Sequence, residues 1–194
     1  MKWVLATSAL ALALAGPAAA ETWTLEGDAS RLAFGSIKNS YTGEVHGFTD
    51  LSGSVTDGVA EITIALGSVD TMIDIRDERM IEYVFRNAPS ATLTSAVDME
   101  ALEALSPGES TVMEIDGTLS FLGADVDLFL SVFAMRIAPD RVLVASNDML
   151  FIATDEIGID AGVDKLQELA TLDDITRAVP VTFRFVFSSD GSSS

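Results

Sequence analysis

Cysteine is absent from the 194 residues, histidine occurs once, at position 46, and 11 lysines and arginines stand against 30 aspartates and glutamates. Without cysteine there is no disulfide framework, so stability has to come from burial alone. One histidine and no cysteine rule out a Cys-His nucleophilic pair and a multi-histidine metal site, and neither an H-E-x-x-H nor a G-x-S-x-G element occurs. The acidic excess repels phosphate backbones and anionic lipid head groups, which makes nucleic-acid binding and electrostatic membrane docking poor readings. Beyond the first 20 positions no apolar run approaches the length of about 20 residues that a membrane-spanning helix needs.

Those first positions have a character of their own. Lys2 supplies a small positive region, "WVLATSALALALAG" an apolar one, and Pro17-Ala18-Ala19-Ala20 ends in the small-x-small pattern that signal peptidase requires. Residues 1–20 are therefore expected to be a cleaved export signal. Residues 21–188 then suit one domain with a real core, and the Ser- and Gly-rich residues 189–194 read as a disordered tail.

From Glu21 onward the dominant pattern is period two, the spacing at which side chains alternate between the faces of a strand. In "VAEITIALGS" Ile62, Ile64 and Leu66 share one face, opposed by Glu61, Thr63 and Ala65. "VMEIDGTLSF" repeats the design, and "VPVTFRFVFS" sets Val181, Phe183, Phe185 and Phe187 against Thr182, Arg184 and Ser188. Further strands are expected in "TWTLEG", "RLAFGSIK", "GFTDLSGSVT", "SATLTSAVDM", "DVDLFLSVFAMRI" and "RVLVASNDMLFI". Asp57-Gly58 marks a short hairpin, Ser106-Pro107-Gly108 a longer turn and Pro139-Asp140 a turn start. Eight to nine short-linked strands of this kind make an antiparallel sandwich or a closed barrel.

Two segments depart from the strand pattern. Asp74 to Arg79 is almost wholly charged, with Ile75 alone between, and from Arg76 to Phe85 the residues Met80, Ile81 and Val84 recur at helical spacing. "DAGVDKLQELATLDDITRA" does likewise through Val163, Leu166, Leu169 and Ala170, with Asp160 as a candidate cap. Two short helices across the ends or side of the sheet are expected. Phe129 and Phe133 fall on the opposite face of their strand from Val126, Leu128, Leu130 and Val132, and the second helix is the natural cover for them.

The inward faces bring Ile62, Ile64, Leu66, Leu93, Val97, Ile115, Leu119, Phe121, Leu128, Leu130, Phe183 and Phe185 to one interior. An eight-stranded barrel is just wide enough to be filled by its own side chains or to hold one small ligand, and the pattern leaves both open. Arg76 and Asp77 can tie the turn that leaves strand 59–66 by charge-assisted hydrogen bonds, as a loop clamp or as a contact to a ligand head group. His46, beside Gly43 and Gly47, reads as a partly exposed strand or loop residue rather than a ligand contact. Asp125 with Asp127, and Asp98 with Glu100, read as solvated faces rather than a calcium or acid–base pair, and Trp23 and Tyr83 as packing groups.

The order "GEVHGFTDLSGSV", "SVDTMIDIRDERMIEYVF", "APSATLTS", "IDGTLSFLGADVDLFLSV", "IGIDAGVDKLQELATLDDITRAVPVTFRFVF" resembles the YceI-like, polyisoprenoid-binding proteins of bacteria, from about Trp23 to Phe187. Thr71 followed by Arg76-Asp77 is similar to the family's Thr, four residues, Arg-Asp signature, and Gly117-Thr-Leu-x-x-x-Gly123 to a second, less specific step. The chain departs from the pattern at Arg79-Met80, where many members have His-Leu, and at Ile157-Gly158, which lacks the arginine that often precedes it. The resemblance implies an all-β fold with short helices, an extended lipocalin-like antiparallel barrel of about eight strands. It also implies a non-enzymatic periplasmic carrier whose interior holds a long-chain isoprenoid or acyl lipid, such as a polyisoprenoid quinone or a fatty-acid derivative. No cofactor beyond that ligand and no metal is implied, stable membrane insertion is not expected, and a homodimer is left open. The rival readings are a filled barrel serving as an interaction module for a periplasmic redox or stress partner, and a carboxylate-dependent enzyme acting on a lipid.

Overall fold

Alternating segments separated by turn residues pair antiparallel throughout the computed structural model, which describes residues 22–189. The strands are β1 (Trp23–Leu25), β2 (Arg31–Lys38), β3 (Thr42–Phe48), β4 (Leu51–Thr56), β5 (Val59–Ala65), β6 (Val69–Asp70), β7 (Ser90–Ala96), β8 (Ser110–Phe121), β9 (Ala124–Ala138), β10 (Arg141–Ser146), β11 (Leu150–Ala153) and β12 (Ala178–Ser189). Pairing runs β1-β4-β5-β7-β8-β9-β10-β12 and returns from β12 to β1, which closes an eight-stranded antiparallel barrel. Closure removes the unpaired edges that an open sheet would expose.

The long strand β12 organises the rest. Along one edge it pairs with β1 at Phe187–Ser189 and then with β2 at Val181–Arg184. Along the other it pairs with β10 and then with β11. The segments expected as "GFTDLSGSVT" and "RVLVASNDMLFI" are each interrupted, at residues 49–50 and 147–149; the second divides into β10 and β11, while the first supplies β4 and only the last two residues of β3, whose residues 42–46 lie outside the expected strands. The Asp57-Gly58 hairpin is confirmed in detail. Thr56 pairs with Val59, and both linking residues have positive φ, 51° and 75°, which the right-handed twist of a two-residue hairpin requires and glycine adopts at no steric cost.

Among the described residues three α-helices punctuate the barrel: α1 (Asp74–Arg79), α2 (Met99–Glu103) and α3 (Asp160–Ala170). The helix expected from Arg76 starts at Asp74 and passes into a single π-helical turn, Met80–Val84, whose widened ladder is marked by the bond from the Phe85 N–H to the Met80 carbonyl, 2.9 Å. Met80 and Val84 are buried there. The short helix α2 is absent from the expectations above; Asp98 caps it by accepting the Ala101 N–H at 3.0 Å. Asp160 does not cap α3: it is the first helical residue, and its carboxylate accepts the Thr154 hydroxyl at 2.5 Å.

The outer face of β9 corrects a second expectation. Phe129 is 81% exposed, and α3 lies instead against the π-helical turn. Gly162 is what permits that contact: a Cβ there would sit 2.5 Å from the Tyr83 carbonyl oxygen, closer than real Cβ atoms come. At the C-terminus Ser189, expected as the first residue of a tail, is the last residue of β12, buried and paired with Trp23. The export signal over residues 1–20 and the tail from residue 190 lie outside the described residues. None of the described helices is long and apolar enough to cross a membrane.

Candidate functional site

The interior is not solid. A cavity of about 460 Å³ occupies the end of the barrel where β11, β12, β2 and β3 continue beyond the closed ring and α1, the π-helical turn and α3 complete the wall. That size lies within the range of small-molecule sites, roughly 300–1,000 Å³. Of the interior residues expected from the sequence, Ile62, Ile64, Leu66, Leu93, Leu119, Phe121, Leu128, Leu130, Phe183 and Phe185 line it. Val97 and Ile115 do not; they line a second, smaller cavity of about 80 Å³ toward the opposite end. Ile62, Leu93, Leu130, Phe183 and Phe185 border both and form the partition. Phe183 and Phe185, two apart on β12 and so on the same face, stack with ring centroids 4.7 Å apart and planes inclined by 16°.

Much of the wall comes from residues outside that expected set. Phe34 on β2, Phe48 on β3 and Phe85 after the π-helical turn run in a chain toward Phe121, with successive centroids 5.5, 5.9 and 6.1 Å apart. Leu150, Ile152, Ile157 and Ile159 continue it, and Val163 and Leu166 present α3 to the opening. The signal for Phe34 was present in the alternation Leu32, Phe34, Ser36, Lys38. Phe85 carries no such signal, because its place depends on a π-helical turn that periodicity does not announce.

Most polar groups of the wall, Thr154 and Thr176 apart, gather at one place. Ser36 and Lys38 on β2 face the cavity beside Glu44 and His46 on β3, with Ser36 opposite Glu44 in register. Glu44 accepts from Lys38 Nζ at 2.9 Å and from Arg76 Nη1 at 2.7 Å. Burial raises its pKa, but the Lys38 hydrogen bond and the charges of Arg76 and Lys38 outweigh burial and hold it below the usual carboxylate range. His46 lies on a strand, as one of the two expected placements had it, but is buried, 4% exposed, rather than partly exposed; its Nε2 and the Ser36 hydroxyl lie 3.0 Å apart. Burial first, and the Arg76 charge second, push its pKa down and keep the ring neutral.

The Thr71, Arg76 and Asp77 group works as a clamp. Asp77 Oδ1 accepts both the Thr71 N–H, 2.9 Å, and the Thr71 hydroxyl, 2.5 Å. Arg76 donates through Nη2 to the Thr71 carbonyl at 2.5 Å while Nη1 reaches Glu44. The two charged neighbours thus fasten the start of α1 to its own approach and to β3, which sets the position of the cavity rim. Arg76 and Arg79 line the cavity; Thr71 and Asp77 do not. On the far side of the rim, Asp174 accepts the Ser40 N–H at 2.8 Å and the Ser40 hydroxyl at 2.5 Å, which ties the chain after α3 to the tip of the β2–β3 hairpin and lowers the Asp174 pKa.

Behind the partition, Trp23 is 4% exposed and Arg136, the one charge on the inward face of β9, lies 5.5 Å over its ring. Arg136 donates through Nη1 to the Pro139 carbonyl, 2.6 Å, and through Nη2 to the Leu102 carbonyl, 3.1 Å, while its buried Nε has no hydrogen-bond partner among the described residues. Elsewhere, Asp125 and Asp127 are exposed and accept from Ser120 and Thr118. No group of three metal-ligating side chains occurs among the described residues.

Comparison with known proteins places this geometry. The fold is shared with a polyisoprenoid binding domain from Saccharophagus degradans implicated in plant cell wall breakdown, 32% identical, with a TM-score of 0.84 over 86% of this chain and 98% of that one. BcnA of Burkholderia cenocepacia is 13% identical with a TM-score of 0.61, covering 84% of this chain and 98% of its own. The YCEI protein of Campylobacter jejuni is 17% identical with a TM-score of 0.51, covering 76% and 85%. No curated protein sequence matches the chain. The YceI-like domain model matches residues 23–187, all but the ends of the described barrel, and the chain belongs to the YceI-like family.

Proposed function

We propose that this protein is an exported, periplasmic carrier that takes one long-chain amphiphilic lipid, an isoprenoid quinone or an acyl derivative, into the large cavity. The observation that carries the reading is the 460 Å³ void whose wall is predominantly aliphatic and aromatic, with its charged groups confined to Lys38, Glu44, Arg76 and Arg79. An apolar tail gains about 0.8 kcal/mol for each methylene it buries, so affinity needs no strong polar contact. The description of the Saccharophagus degradans relative as a polyisoprenoid binding domain supports the same ligand class. Binding without catalysis is favoured by the state of the carboxylates near the cavity: Glu44 is held ionised between two cations and Asp77 is occupied by Thr71. A general acid needs a raised pKa, and Glu44 has the opposite.

The test is organic extraction of natively purified mature protein followed by mass spectrometry. One co-purifying long-chain lipid per chain is the expected result. No co-purifying lipid, together with no uptake of a prenyl quinone by the stripped protein, overturns the reading. Export is checked separately by N-terminal sequencing, which is expected to begin at Glu21.

A further inference from the structure

At one end of the large cavity the wall reverses the usual order of polar and apolar groups. Along β2, Ser36 and Lys38 face inward while Ile37 between them is 43% exposed. Across the hairpin on β3, Glu44 and His46 face inward while Val45 between them is 69% exposed. A strand that only lines a greasy interior turns its apolar residues in and its polar ones out. Here the interior receives the polar set.

The charges in that set run against the whole molecule. The sequence carries 30 acidic and 11 basic residues, yet the charged residues of the cavity wall are Lys38, Arg76, Arg79 and Glu44. Glu44 is already shared by Lys38 and Arg76. Arg79, three residues beyond Arg76 and so on the same side of α1, is half-buried, and its side chain has no hydrogen bond or ion pair among the described residues. The Arg79 guanidinium on that wall has no counter-charge of its own, and its planar fork suits carboxylate or phosphate oxygens.

Resting on the lipid reading of the cavity, we infer that the ligand's head is anionic, a carboxylate or a phosphate ester on a single long apolar chain, and that Arg79 receives it together with Lys38 and Arg76. The tail then lies along the phenylalanine wall toward the Phe183–Phe185 partition. The net negative charge of the protein opposes approach of such a ligand, so discrimination depends on these near cations rather than on the long-range field.

The test compares oleate with oleyl alcohol, and farnesyl phosphate with farnesol, each titrated below its critical micelle concentration into stripped mature protein. Each anion is expected to bind about tenfold or more tighter than its alcohol, the scale of one charge-assisted hydrogen bond. Arg79→Gln is expected to cut that ratio to about threefold or less and Arg79→Glu to remove it. Lys165→Gln, which deletes a cation outside the cavity, is expected to keep the ratio. A preference confined to one anion supports the inference and tells a carboxylate source from a phosphate one. Equal binding of anion and alcohol, or a ratio that neither Arg79 variant moves, overturns the anionic head while leaving the carrier reading intact; failure of all four ligands to bind overturns the anionic head, and the carrier reading then stands or falls by the extraction and quinone-uptake experiment above.

Discussion

The two ends of the barrel share long strands but differ in how the wall is closed and in what stands on its inner face. At the closed end eight strands pair in a complete ring, and Trp23, Phe187, Met99 and Leu102 crowd inward around Arg136, leaving about 80 Å³. That is the filled state an eight-stranded ring tends toward. At the open end four connections interrupt the strands, at residues 26–30, 49–50, 66–68 and 147–149. The wall is completed there by α1, the π-helical turn and α3, and about 460 Å³ remains empty. The filled-barrel reading therefore describes one end and fails at the other. One architecture has been divided into a stabilising half and a receiving half, with Phe183 and Phe185 as the boundary.

The comparison predicts where damage is greatest. Trp23→Ala removes the largest side chain of the closed end and is expected to cost about 3–5 kcal/mol, read as a lower denaturant midpoint with the stripped protein. Phe183→Ala opens the partition and is expected to cost about 3 kcal/mol, the low end of its class because one side already faces a void. In that variant a lipid brominated near its tail end should quench Trp23 emission, whereas the wild type should be quenched far less; equal quenching in both would mean that the partition is no barrier. Gly162→Ala pushes α3 off the Tyr83 carbonyl and is expected to cost about 1–3 kcal/mol. Its signature is faster amide exchange in α3 and the π-helical turn with β8 and β9 unchanged.

The smallest effect concerns pH. His46 has a lowered pKa in the fold, so as pH falls below the ordinary histidine value of about 6.5 the unfolded chain takes up the proton first and stability declines. Above that value both states are neutral and the residue contributes no slope. Glu44 acts in a separate, lower window: its stabilisation is present above the usual glutamate pKa and is lost as pH falls through its depressed folded value. His46→Gln should flatten the slope of stability between pH 7 and pH 5 and leave the acid limb in place. An unchanged slope would locate the titrating group elsewhere.

Most of the strand set, though not β3, the hairpin at Asp57-Gly58 and both helical segments were legible because alternation, turn chemistry and three-four spacing are local signals. Most of the inward residues were legible for the same reason. His46 was misplaced because glycines flank it on "GEVHGF" and look like a loop, while the register with β2 buries it against Ser36. Phe129 was misplaced because an apolar residue on a strand's polar face implies a cover, and α3 docks on the π-helical turn instead. Arg136 left a sign that alternation alone could have shown: it is the single charge in the inward series from Val126 to Arg136, and a charge in that position must find buried partners.

The amino-acid order by itself determined which residues alternate, where the chain turns and that the interior would be apolar, since each of these depends on neighbours two to four positions apart. Whether that interior would close or stay open was decided only in three dimensions. It depends on strands that end where helices take over the wall, on a glycine that lets α3 lie against Tyr83, and on two stacked phenylalanines that separate a packed half from an empty one. Volume is a property of elements facing each other across the barrel, and no local pattern encodes it.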